Sequence, residues 1–145
     1  MAKQKGTPTK LGEESPFRNR KKDESLKIFK EMFDGEHNQG QHVLRAKIDM
    51  TSPNMLMRDP VLYRVMNVDH HRTKDNWKVY PMYDWTHGES DYIEQISHSL
   101  CTLEFEPHRE LYDWFLDAIS PLKGIRPKQR ELGTIQLSFD RTTEK

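Results

Sequence analysis

The chain has 145 residues, a length for one domain or two small ones, and its 23 lysines and arginines cancel 23 aspartates and glutamates, so no overall basic footprint announces a nucleic-acid binder. Hydrophobic residues are lean at 34%, but aromatics at 10% exclude a disordered chain. No run approaches a membrane span, Met1 to Lys10 lacks the apolar core of a secretory signal, and the lone cysteine, Cys101, has no internal disulfide partner, so a reducing, cytoplasmic setting is expected.

Residues 1–20 carry Gly6, Pro8, Gly12 and Pro16 among charges and read as an arm or loop. From about Lys21 the pattern turns helical: Leu26, Phe29 and Phe33 form a stripe that Ile28 and Met32 widen, and Gly35 ends it. Val43 to Ile48 alternates apolar and basic residues, as a half-buried strand does. A loop with Pro53 and Pro60 follows. Val61 to Val68 reads as a second strand, His70 to Asn76 as a polar turn, and Trp77 to Tyr80 as a third strand closed by Pro81.

Beyond Pro81, Glu89 to Ser99 fits a helix with Ile93 and Ile96 inward. Pro107 suits a helix start, and Leu111, Trp114, Phe115 and Ala118 then recur at helical spacing. Gly124 and Pro127 mark a basic loop, and Thr134 to Phe139 alternates as a last strand. The fold class expected is mixed α/β. Charge is distributed in blocks: the first thirty residues are basic, residues 81–119 hold one arginine against nine acids, and the tail is basic again. Neutrality is thus a cancellation, with a basic front suited to phosphate and an acidic middle that is not.

General motifs are absent. There is no glycine-rich phosphate loop, and the seven histidines do not group with cysteine or acids at metal-ligand spacing, so no metal site is expected. His70-His71 reads as a solvated pair. Ser97 and His98 can be drawn into a hydrolytic set only if geometry allows it. Cys101, flanked by Leu100 and Leu103, reads as a half-buried, inert thiol.

Three longer stretches are more specific. Ser15-Pro16-Phe17-Arg18-Asn19-Arg20 leads the first helix. Leu44-Arg45-Ala46-Lys47-Ile48-Asp49-Met50 runs on to Met57-Arg58-Asp59-Pro60-Val61-Leu62-Tyr63-Arg64. Tyr80-Pro81-Met82-Tyr83-Asp84-Trp85-Thr86-His87 precedes His98-Ser99-Leu100-Cys101-Thr102-Leu103-Glu104-Phe105. In this order they resemble the glutaminyl-tRNA synthetases, class I aminoacyl-tRNA synthetases, from about Gly6 to Gln129.

The resemblance implies an inserted tRNA acceptor-binding domain over residues 21–80, after the arm of residues 1–20. It implies part of the second half of a dinucleotide-type (Rossmann-like) catalytic fold over residues 81–145. The family joins glutamine to its tRNA with ATP and magnesium. The 145 residues hold neither its HIGH-type nor its KMSKS-type motif, Thr143-Glu144-Lys145 being a faint echo, so the chain by itself is expected to bind no ATP and to be inactive. By the same resemblance Tyr83, His87, Cys101 and Gln129 line the glutamine pocket. Cys101 stands where glutamyl enzymes have an arginine, which favours a neutral amide over a carboxylate. Two positions depart from the family pattern: Thr134 and Gln136 replace an arginine and an asparagine near ATP. At a third, Pro107 stands where an acid reads an acceptor-stem base pair, a role that neighbouring Glu106 could fill. The alternatives are a standalone module holding a tRNA acceptor end, and a degenerate paralogue kept for protein contacts or self-association through an uncovered sheet edge.

Overall fold

The computed structural model describes residues 2–119, 121 and 123–133. It is mixed α/β with two small sheets, consistent with part of a class I catalytic fold. Helix α1 (Ala2–Lys5) is a single turn, followed by a tight bend in which Thr7 and Lys10 exchange backbone hydrogen bonds. Helix α2 (Lys22–Phe33) carries Asp23 and Glu24 in its first turn, where acids favour the positive end of the helix. Strands β1 (Val43–Arg45), β2 (Val61–Val65) and β3 (Val79–Pro81) form an antiparallel sheet in that order. Helix α2 packs on this sheet through Met32, Ile28 and Phe29 against Val65, Val79 and Tyr63. Leu26 and Phe33 of the expected stripe are instead largely exposed, so the inward face lies along Ile28, Phe29 and Met32.

The second half is α3 (Tyr83–Ile93), β4 (His98–Thr102), a 3₁₀ turn over Leu103–His108, α4 (Arg109–Ala118) and β5 (Lys128–Leu132). Strands β4 and β5 are parallel, which demands a crossover, and α4 supplies it. The α4 stripe departs at its end: Leu111 and Phe115 are buried, Tyr112 and Leu116 join them, and Ala118 is exposed. Pro107 lies in the 3₁₀ turn before α4. Leu111 and Phe115 meet Ala46 and Met57 in a cluster that Trp85, Trp114 and Leu62 flank.

The helix expected over Glu89 to Ser99 is a correction. Helix α3 starts at Tyr83 and ends at Ile93, Ile93 is 73% exposed, and Ile96 is exposed too. Thr86 donates its hydroxyl to the Met82 carbonyl in the first turn, and the left-handed backbone of Gln95 (φ 57°) ends the helical path so that β4 can begin. The strand expected over Thr134 to Phe139 lies outside the described residues.

Two motifs have structural explanations. Arg58, 1% exposed, donates Nη1 to the carbonyls of Lys5, Thr7 and Lys10 at 2.9–3.0 Å and Nε to the Ser52 carbonyl at 2.7 Å. Asp59, left-handed at φ 41°, accepts from Arg18 Nε at 2.6 Å and from the Ile48 N–H at 2.8 Å. Arg18, Arg45 and Arg58 are therefore committed to carbonyls and a carboxylate inside the fold, and of these Arg18 is withdrawn from the basic first thirty residues.

Glu89 in α3 is half-buried, and its Oε1 has no hydrogen-bond partner among the described residues. Burial raises its pKa. A carboxyl whose folded pKa lies above its unfolded one binds its proton more tightly when folded, so its cost develops as pH rises past the unfolded value. Glu89→Gln is accordingly expected to stabilise the fold at pH 7 by on the order of 1 kcal/mol and to have little effect near pH 4. Urea midpoints at the two pH values check this; equal shifts at both would contradict it.

Candidate functional site

Strands β4 and β5 pair Ser99 with Gln129 and Cys101 with Glu131. These four residues share one face of the two-stranded sheet, turned toward α3 and α4, because side chains alternate along a strand. Ser99 and Gln129 are 2% and 3% exposed. Gln129 Nε2 donates to the Phe105 carbonyl at 3.0 Å and to Glu131 Oε1 at 2.8 Å. Arg109, from the start of α4, grips both oxygens of Glu131. This grip brings the Glu131 carboxyl down to about 2. Burial first, and then the Glu131 carboxylate, push the Cys101 thiol up, so it stays neutral at physiological pH.

Above this tile, Tyr83 stacks on His87 one helical turn later, with ring centroids 5.2 Å apart, and lies 5.1 Å from Phe105. His87 Nε2 is 2.7 Å from Ser99 Oγ and 3.4 Å from Asp91 Oδ2. Tyr112 donates its hydroxyl to the same Asp91 oxygen at 3.2 Å. His108 Nδ1 meets Asp84 at 2.6 Å, joining the starts of the two helices. Tyr83, Asp84, His87, Phe105, His108, Tyr112 and Gln129 line one small depression. Burial raises the pKa of both Tyr83 and Tyr112, leaving neutral phenols able to donate and to accept.

The serine, histidine and aspartate here do not form a hydrolytic triad. Ser99 and Asp91 both approach Nε2 of His87, whereas a triad needs the acid and the serine on opposite ring nitrogens. Ser97 and His98 touch at 2.9 Å on the surface. Among the described residues, no three of histidine, cysteine, aspartate and glutamate come together as metal ligands. A larger groove runs between the arm, α2 and β1, lined by Phe17, Ile28 and Phe29 and by the committed arginines Arg18 and Arg45.

Of the residues singled out from the sequence, Tyr83, His87 and Gln129 line the depression, and Cys101 lies on the tile opposite Glu131. Glu106 is exposed on the 3₁₀ turn before α4 and is not in that lining. Sequence reasoning missed Ser99, Asp91, Arg109, Tyr112 and Glu131. For Ser99 and Glu131 the one signal was a strand with inverted alternation, polar residues inward and Leu100 and Leu132 outward; Asp91, Arg109 and Tyr112 lie on helices and gave none.

Comparison with known proteins bears on the same residues. The family model for tRNA synthetases class I (E and Q), catalytic domain, matches residues 1–138. The glutamine–tRNA ligase of Cupriavidus metallidurans is 51% identical over all of this chain and 25% of that protein. That of Pseudomonas syringae pv. tomato is 52% identical over 97% of the chain and 24% of its own length, and that of Neisseria gonorrhoeae is 50% identical over 100% and 26%. The chain spans about a quarter of the length of these curated relatives. No helix among the described residues is long and apolar enough to cross a membrane. From Met1 through residue 138, the chain belongs to the class I tRNA synthetase (E and Q) catalytic-domain family.

Proposed function

We propose that this chain is the segment of a glutamine–tRNA ligase that selects glutamine and meets the acceptor end of its tRNA. One observation carries the choice of amino acid: the tile under Tyr83 and His87 holds the neutral thiol of Cys101 beside the Glu131 carboxylate, whose one cation, Arg109, is already spent. A free glutamate side chain entering there would find no unpaired cation among these groups, and an uncompensated buried charge is costly. A neutral carboxamide meets only donors and acceptors it can match. Tyr83, His87 and Gln129 are the residues placed to touch it.

Residues 21–80 are assigned to the acceptor-binding insertion and residues 81–145 to the second half of the catalytic fold. Exposed Lys21, just before α2, and Lys22, Lys27 and Lys30 within it remain available for phosphate, and Glu106 for a base edge in the acceptor minor groove. ATP use follows from family membership; the 145 residues alone are expected to catalyse no glutamine-dependent pyrophosphate exchange.

The test is titration of the chain with glutamine, with glutamate and with labelled glutamine tRNA at low and moderate salt. Glutamine is expected to bind at least tenfold more tightly than glutamate, and tRNA binding is expected to weaken as salt rises. Equal affinity for the two amino acids, or no tRNA binding at low salt, would overturn the corresponding half of the reading. Cys101→Arg is expected to reverse the preference by supplying a cation beside Glu131, read in the same titration.

A further inference from the structure

The loop over residues 34–42, between α2 and β1, is folded back on the end of the helix. Asp34 and Glu36 donate their N–H groups to the carbonyls of Lys30 and Glu31, and the chain bends at Gly35 and Gly40, with φ of 80° and 83°. The Gln41 N–H meets the Asn38 carbonyl and the Asn38 N–H meets Gln41 Oε1, both at 3.1 Å. This tight turn brings His37 and His42 together, with ring centroids 4.4 Å apart. His37 Nε2 lies 3.2 Å from Glu31 Oε2; an ionised carboxylate only accepts, so the imidazole donates. Glu31 is itself shared, because Lys27 Nζ lies 3.7 Å from its other oxygen. Gly40, Gln41 and His42 form part of the wall of the larger groove, which Arg20 also lines.

We propose that Glu31, His37 and His42 form a proton-operated clasp that holds this loop closed along the groove wall at neutral pH and releases it in mild acid. Two imidazoles at this distance accept one positive charge and resist a second. Glu31 can balance one cation, and Lys27 already draws on it. Arg20, the other charge acting on His42, is positive too, and its partner Glu24 holds it at 3.2 Å. Burial pushes the His42 imidazole below its ordinary 6.5, the charges of His37 and Arg20 push it the same way, and Glu31 opposes them. A base whose folded value lies below its unfolded one favours the closed form fully above the unfolded value. That advantage is lost as pH falls from there through the lower folded value. The strain falls on the loop, because His42 is tied to Val43 of β1 whereas His37 sits between the two bends. None of the three residues lines the depression over β4 and β5, so the clasp is independent of the glutamine-binding reading.

The experiment is a pH titration of the full chain, labelled with ¹³C and ¹⁵N, from pH 8 to pH 5. Two sets of signals are followed: the imidazole carbons of His37 and His42, and the backbone amides of Gln41 and Asn67. The Asn67 N–H donates to Gln39 Oε1 at 3.3 Å, so it reports whether the loop is seated on the chain just past β2. His42 is expected to titrate below 6.5, and both amides to move with it. In His37→Gln the His42 midpoint is expected to rise by about half a pH unit, since no second imidazolium faces it. In His42→Gln, which puts an uncharged polar side chain in the same place, the two amides are expected to hold still down to pH 5. Amides that shift as much in His42→Gln as in the unaltered chain would overturn the proposal. So would a His42 midpoint at or above 6.5, or a low midpoint with both amides unmoved. If His42→Gln fails to fold, His37→Gln decides: a His42 midpoint that stays where it was sinks the clasp.

Discussion

Replacing Arg58 with alanine is expected to release the first dozen residues from the fold and to cost about 3 kcal/mol or more. One buried guanidinium satisfies four carbonyls, three of them in the arm at Lys5, Thr7 and Lys10. Alanine leaves these acceptors without their donor, and each orphaned group costs about 1–3 kcal/mol unless water reaches it. This end of the arm has two further backbone ties, Gly12 N–H to the Met50 carbonyl at 3.0 Å and Glu13 N–H to the Gln4 carbonyl at 2.7 Å, the second closing the arm on itself, while Arg18 holds its far end to Asp59. Gly6 sits at the centre of the bend with φ +73°, where a Cβ would come within 2.4 Å of the Lys10 carbonyl oxygen, so no other residue reproduces the turn. Trypsin should cleave after Lys5 and Lys10 much faster in Arg58→Ala than in the unaltered chain. Equal cleavage rates would show that the arm does not depend on Arg58.

Phe115→Ala is expected to cost about 3–5 kcal/mol, a large part of the stability of a domain this size. Phe115 is 2% exposed, and its ring meets Trp85 edge-on at 5.1 Å and Trp114 at 5.7 Å. It joins α4 to Ala46 and Met57, so the cavity would open between the crossover helix and the first sheet's loops. Because two tryptophans line that cavity, urea unfolding followed by their fluorescence measures the loss directly. The same change loosens the helix that carries Arg109 and Tyr112, so its effect should extend to amino-acid binding. A loss below 1 kcal/mol would mean that α4 is held elsewhere.

Elements whose inner face is apolar were legible in the sequence. Helix α2 begins one residue from its expected start, and β2 begins at Val61 as the β-branched run suggests, although it stops at Val65. The reading failed where the inner face is a binding surface. In β4 and β5 the residues turned inward are Ser99, Cys101, Gln129 and Glu131, while Leu100 and Leu132 point out and are 62% and 54% exposed. Hydrophobic alternation therefore runs backwards, and the stretch around Ile93 and Ile96 offered a better helical pattern than a strand pattern. The resemblance named Tyr83, His87, Cys101 and Gln129, but it could not supply the groups that act on them. Arg109 and Tyr112 enter only through tertiary contact, 22 and 21 residues from Glu131 and Asp91, while Asp91 and Glu131 are local neighbours of His87 and Gln129 whose part depends on those distant partners.

The arm held by Arg58 also imposes an order on how the chain can be made. Its carbonyls lie 48 to 53 residues upstream of the guanidinium that gathers them. During synthesis the bend around Gly6 emerges before Arg58 and lacks the guanidinium that gathers its carbonyls until residue 58 follows, which at typical elongation rates is a delay of several seconds. The bend is thus fixed later than it is made, and through that interval it stays open to whatever meets the nascent chain.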